Sequence, residues 1–250
     1  MNLFEFLYEK NRSSLLKSKF ENLCIRAKCE FKNVGQDSKN NEIFYCKKYF
    51  DDKKPYVAIL SGLHGNEPAG PEAVYEFFSK HISVSNDDVN LFLMPLLNPH
   101  GFNRFIRKDA NNTDMNRQWD KTNRKLIKNL KKLFIDENFD LVISLHEDPN
   151  VDGFYVYGGR YIKGDQLEAV ANILNKFMQP IKDGEIYGDP VFGGMVEDGN
   201  EDKPKHKKSL EFFFDKNKIP NVTAEISARG KIESRIQIYR KFLAKILKIL

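Results

Sequence analysis

Four short runs, 56–61, 90–96, 140–145 and 221–226, are nearly continuous in apolar residues, many of them β-branched. Strands of that kind are covered on both faces, which requires a largely parallel sheet with helices above and below. Helical patterns intervene at 68–80, 121–136, 165–178 and 206–217. Two alternating runs, 23–32 and 42–49, read as an antiparallel pair, and 153–157 as a further strand. The expected fold is α/β: a three-layer sandwich with a mixed, mostly parallel central sheet flanked by helices. We read 1–250 as one domain, because after the polar stretch 197–208 the chain turns apolar again at 209–214 and returns to the sheet at 221–226.

Composition closes off several classes. With 41% hydrophobic and 30% charged residues the chain can fill a core and is not a disordered polymer. No apolar run reaches 18 residues, and Glu5, Glu9, Lys10 and Arg12 stand where a signal peptide needs an apolar core, so a cytoplasmic location is expected. Cys24, Cys29 and Cys46 include no Cys-x-x-Cys pair and read as reduced structural thiols, with Cys24 and Cys46 placed in strand-like runs. The net charge of +5 is interleaved along the chain and gives no reason to expect nucleic acid. The lysines of 121–132 form the wet face of an amphipathic helix, and 231–250 reads as another that docks on the sheet and not on a membrane.

Polar residues of catalytic type follow the covered strands at once, where open α/β sheets place their ligands. After 56–61 comes Gly62-Leu63-His64-Gly65-Asn66-Glu67-Pro68; after 90–96 comes Asn98-Pro99-His100-Gly101-Phe102; after 140–145 comes His146-Glu147-Asp148. His64 and Glu67, three apart on a turn leading into a helix near Pro68, can share a cation. His146 supplies a third ligand, and two His with one Glu suit zinc while leaving a fourth position for water. Taken singly each His would pack or hydrogen-bond alone, which is the reading for His81, His100 and His206.

Glu225 lies inside an apolar run, where a carboxylate is avoided unless it faces a polar site or pairs with Arg229 or a lysine. Beside a metal-activated water it can take a proton and pass it to a leaving amine. In the loop 107–119, Arg107, Asn116 and Arg117 can grip a carboxylate or stabilise an oxyanion, the alternative being surface salt bridges. Asp114 is suited to accept the second N–H of His64.

Together these residues resemble the zinc carboxypeptidase superfamily of carboxypeptidases A and B, with its murein-peptide peptidase and aspartoacylase/succinylglutamate desuccinylase relatives. The resemblance covers about 56–227 and rests on His64-x-x-Glu67, Asn98-Pro99-x-Gly101-Phe102, Arg107, Asp114-x-Asn116-Arg117, His146 and Glu225. It implies one zinc per chain on His64, Glu67 and His146, Glu225 as general base and acid, and Asn116 and Arg117 holding the substrate's terminal carboxylate. Arg107 would polarise the scissile carbonyl. His100 stands where many relatives have Asp, Met115 where they have Leu, and Gln118-Trp119 where they have Asn-Phe. None of Tyr155, Tyr157, Tyr161 or Tyr187 matches the substrate-contacting Tyr of the digestive enzymes.

The resemblance thus implies a zinc hydrolase that cleaves a C-terminal peptide or amide bond of a small substrate with a free carboxylate. The runners-up are an N-acyl amino acid deacylase and a non-catalytic binding module. Only 25 residues follow Glu225, whereas the deacylase branch typically adds a β-rich domain there, which tilts the expectation toward the carboxypeptidase side.

Overall fold

The computed structural model describes residues 11–81, 89–196 and 206–248. Expectations for 1–10, for most of the 197–208 loop and for the side chains of His81 and His206 lie outside the described residues.

The chain opens with helix α1 (Arg12–Ala27), then strands β1 (Glu30–Gln36), β2 (Glu42–Lys48) and β3 (Tyr56–Ser61). Helix α2 (Ala69–His81), β4 (Asn90–Met94), α3 (Pro99–Arg104) and α4 (Lys125–Glu137) follow. Next come β5 (Leu141–Asp148), β6 (Phe154–Gly158), α5 (Gly164–Leu174) and the short strands β7 (Gly184–Ile186), β8 (Asp189–Phe192) and β9 (Met195–Val196). Helix α6 (Leu210–Lys216), β10 (Asn221–Ser227) and α7 (Ile232–Ile246) complete it. The ten strands form one mixed sheet in the order β1-β2-β4-β3-β5-β10-β6-β9-β8-β7. Its four central strands, β4-β3-β5-β10, run parallel, and antiparallel pairs flank them.

Alternation along the central strands divides the core into two layers. Val57, Ile59, Ile143, Val222 and Ala224 meet α1, α2, α5 and α7 through Phe20, Phe77, Leu174 and Phe242. Ala58, Leu60 and Val142 meet α4 and α6 through Ile127, Phe134 and Phe214. This is the three-layer sandwich expected from the apolar runs.

The reading of 23–32 as a strand is corrected. Leu16, Phe20, Leu23 and Cys24 recur at helical spacing and are buried in α1, which Lys28 ends in a left-handed conformation (φ 54°) before β1 begins. Cys24 is therefore a helix residue, while Cys46 lies in β2; all three cysteines are free thiols. The pattern at 206–217 is a 3-10 turn (His206–Lys208) followed by α6, and the 121–136 helix starts only at Lys125. Helix α7 packs its Ile236, Tyr239 and Leu243 into the core. No helix among the described residues is long and apolar enough to cross a membrane.

Candidate metal centre and cavity

The turn that carries His64 and Glu67 leaves β3 through Gly62, whose φ of 61° and tight approach to Leu96 suit only glycine. Gly65 packs directly on α3: a Cβ there would lie 1.9 Å from the Gly101 carbonyl carbon. The Asn98-Pro99-x-Gly101 sequence builds that opposing surface. Asn98 caps α3 by accepting from the Gly101 N–H at 2.9 Å, and Pro99 occupies the first turn, where its missing N–H is not needed. Glu147 locks the turn to β5. Its Oε2 accepts from the Ala69 N–H at the start of α2 at 2.8 Å, and its Oε1 pairs with Arg235 of α7.

Strand alternation sends Glu147 to one face and His146 to the other. There the Nδ1 atoms of His64 and His146 lie 2.6 and 2.9 Å from the two carboxylate oxygens of Glu67. All three side chains are buried, and their donor atoms fall within 4.8 Å of one another. Two imidazole nitrogens and a carboxylate converging this closely fit a zinc ion by donor chemistry and spacing. Asp114 Oδ1 stands 3.3 Å from His64 Nε2, on the side away from the convergence point, as a group orienting a metal-bound imidazole should.

Electrostatics tie the group together. Burial would lower His64, but Glu67 and Asp114 outweigh it and hold the imidazole up at about 9. Burial would raise Glu67, but the two histidines pull its carboxyl down to about 2. Asp114 is likewise held low, by His64 and Arg107 against the cost of burial. His146 also titrates above its ordinary value, burial being outweighed by Glu67.

Glu225 is the register partner of His146 across the parallel β5–β10 pair, and of Tyr155 across the antiparallel β10–β6 pair. Burial, with the charges of Glu67, Asp148 and Glu211, pushes its carboxyl up to about 8 against the pull of His146. Arg229 does not neutralise it; its Nε donates to the Pro149 carbonyl at 3.2 Å.

The 107–119 loop is held from several sides. Arg107 Nε donates to Asp114 Oδ2 at 3.0 Å, with Nη1 3.7 Å from Glu67 Oε1. Asp114 caps a 3-10 turn (Met115–Arg117) by accepting from the Asn116 N–H at 2.9 Å. Asn116 reaches α6, its Oδ1 accepting from the Leu210 N–H at 2.8 Å and its Nδ2 donating to Glu211 Oε2 at 3.3 Å. Arg117 Nη1 donates to the Asn116 carbonyl at 2.9 Å, leaving much of its side chain exposed. The structure therefore brings His64, Glu67, His146, Arg107, Asn116, Arg117 and Glu225 to the wall of one cavity of about 580 Å³. His100 lies outside it, with its Nδ1 3.1 Å from Arg104 Nη1.

Several residues that line the cavity had no role assigned from the sequence. Tyr155 and Tyr187 both donate to Asp148 Oδ2 at 2.7 Å, and with Tyr157 they line the cavity, whereas Tyr161 does not. Glu211, Asp215 and Thr223 also face it. Glu225 and Thr223 share a face by alternation, a signal available once 221–226 is read as a strand. Glu211 and Asp215 sit one helical turn apart on α6, which no local pattern connects to β10.

Residues 53–182, just over half the chain, match the profile of the succinylglutamate desuccinylase/aspartoacylase catalytic domain. Probable carboxypeptidase 2 of Trichophyton verrucosum is 29% identical over 101 residues, 38% of this chain and 20% of that protein. Carboxypeptidase E of Caenorhabditis elegans is 28% identical over 121 residues, 40% of this chain and 25% of that one. The matched stretch thus spans a fifth to a quarter of these curated relatives. Among solved structures, a candidate metallopeptidase from Shewanella baltica superposes with TM-score 0.81 at 23% identity, over 97% of this chain and 92% of that one. A metallo-carboxypeptidase from Burkholderia cenocepacia gives 0.73 at 14% identity, over 92% of this chain and 67% of the other. These likenesses establish the fold.

Proposed function

Since this chain belongs to the succinylglutamate desuccinylase/aspartoacylase catalytic-domain family, we propose that it is a zinc-dependent amide hydrolase acting on a small substrate with a free carboxylate. The preferred substrate is a peptide that loses its C-terminal residue. The observation that carries this reading is the convergence of His64 Nδ1, Glu67 and His146 Nδ1 beside Glu225, the register partner of His146.

His64, Glu67 and His146 hold one zinc ion, which when bound supplies a Lewis acid for water and for the scissile carbonyl. Glu225 removes a proton from the attacking water and delivers it to the departing amine, a task open to a carboxylate seated beside His146. Arg107, with Nη1 directed toward Glu67, offers positive charge to the carbonyl oxygen as it becomes an oxyanion. Arg117 and the remaining amide hydrogen of Asn116 hold the substrate carboxylate. Tyr155 and Tyr187 fix Asp148 beside Glu225.

A second reading, deacylation of an N-acyl amino acid, has the family match in its favour and uses the same groups. Zinc analysis of wild type beside His146→Ala and Glu225→Gln tests the common chemistry. The expected result is about one zinc per chain in wild type and Glu225→Gln and none in His146→Ala. Glu225→Gln should lose on the order of 10²-fold or more in rate. Unchanged turnover in Glu225→Gln, or no zinc in wild type after zinc is supplied, would refute the assignment. A panel of peptides and N-acyl amino acids then separates the two readings.

A further inference from the structure

Helix α7 packs on the face of the sheet opposite the cavity, yet its polar side chains reach the backbone of the site. Arg235 and Tyr239, four residues apart, share one side of the helix. Arg235 pairs with Glu147 Oε1, and Glu147 Oε2 takes the Ala69 N–H two residues after Glu67. The Tyr239 hydroxyl stands between two main-chain oxygens. It donates to the His146 carbonyl and lies 3.0 Å from that of Ala224, the residue before Glu225. One hydroxyl thus ties β5 to β10 at the step where His146 and Glu225 are register partners. Gln237 Nε2 donates to Glu76 Oε2 on α2 at 3.1 Å, so the helix that follows Glu67 is held from the same source.

Packing alone does not call for these groups. Tyr239 is fully buried in the apolar core with Ile236, Phe242 and Leu243, where phenylalanine would fill the same volume. A buried hydroxyl has to be satisfied, and the acceptors it finds are the main chain of the two strands that carry His146 and Glu225. Glu147 and Arg235 are also largely withdrawn from water, with side chains 1% and 12% exposed. A buried ion pair adds little net stability over apolar residues of the same volume, so its use here is to fix position. The need is local. The β3 ladder on β5 ends at Leu145, which leaves His146 with β10 alone as its strand neighbour. Ligand atoms of a metal site have to be held within about 0.5 Å of their working places.

We propose that Arg235 and Tyr239 are positioning residues that set, from behind the sheet, the geometry of His64, Glu67, His146 and Glu225. The inference rests on the hydrolase reading above and adds to it two residues that touch neither metal nor substrate. Tyr239 acts on His146 and Glu225 through the main chain, and Arg235 acts on Glu67 through Glu147.

Full-length Tyr239→Phe, Arg235→Gln and Ile246→Val are compared with wild type. Ile246 is buried at the far end of α7, so trimming it loosens the helix without touching the site. Zinc affinity is measured by competition with a chromophoric chelator, ligand geometry by the visible absorption of the cobalt(II)-loaded protein, and stability by urea unfolding of the metal-free protein. Tyr239→Phe and Arg235→Gln should bind zinc about tenfold more weakly or worse and change the cobalt spectrum. Ile246→Val should keep the wild-type affinity and spectrum although its stability falls. On a substrate that wild type cleaves, Tyr239→Phe should lose about tenfold in kcat with KM unchanged, because Asn116 and Arg117 are untouched. Wild-type zinc affinity and cobalt spectrum in Tyr239→Phe overturn the proposal, whatever happens to stability, and so does an equal effect in Ile246→Val. If wild type takes up neither metal, the hydrolase reading fails and the imidazole NMR resonances of the metal-free protein decide. His146 signals displaced or broadened in Tyr239→Phe but not in Ile246→Val uphold the positioning role, and unchanged signals overturn it.

Discussion

Single residues show what the core tolerates. Arg12 is fully buried, its guanidinium stacked 4.4 and 3.5 Å from the Phe102 and Phe105 rings, with its nitrogens unpartnered among the described residues. Desolvation lowers it to about 10, with Glu72 opposing. Glu72, itself 4% exposed, is pushed up by burial to about 7 even though Lys19 Nζ stands 3.8 Å from its Oε2. Between the ordinary carboxyl value of 4.5 and about 7 the folded chain holds a proton here that the unfolded chain has released. This group's contribution is therefore most favourable below the unfolded value, declines as pH rises through that window and is level above it. Glu72→Gln should remove the decline and gain up to roughly 3 kcal/mol at pH 8 relative to pH 4. Urea denaturation of both proteins across that range checks this; parallel curves for wild type and variant would show that Glu72 is not the cause.

At the scale of elements, the central strands and the ligand-bearing turn were legible because each obeys a local rule. Residues 56–61 form a covered strand with the predicted bounds, and the turn that follows leads into a helix near Pro68, as its residues suggest. The register that seats Glu225 beside His146 was not legible, since it joins segments 79 residues apart through the packing of the whole sheet. Nor was α1, whose Cys24 and Ile25 sit in a run as compatible with a strand as with a helix until Phe20 and Leu16 are counted. The hairpin strands β7–β9 escaped notice because they are two to four residues long and separated by turns at Gly188 and Gly193-Gly194. One contact between elements is strict enough to predict from. Gly65→Ala would drive a methyl into the α3 backbone, so it should cost more than about 4 kcal/mol or prevent folding. Gly164→Ala, at the start of α5 with nothing within 4 Å of a new Cβ, should be neutral or gain up to about 1 kcal/mol. Thermal melts of the two variants make the comparison, and similar melting points would contradict the close packing of turn and helix.

At the scale of the whole molecule, the proposed ligands come from two sides of the sheet centre: the turn after β3 and the end of β5. Metal binding should therefore brace the fold as well as the site. Zinc at a hundred times its dissociation constant should add about 2.7 kcal/mol. For a chain of this length that raises the melting point by roughly 5–10 °C, and a chelator should reverse it. A calorimetric scan with and without zinc measures the shift; an identical Tm would mean that the three side chains do not bind the ion in the folded state.

The pairing of His146 with Glu225 across β5 and β10 has a consequence for damaged molecules. A slip of one residue between these strands sends one of the two side chains to the opposite face of the sheet. The pairing has no half-way state: the two side chains either share a face of the sheet or lie on opposite faces.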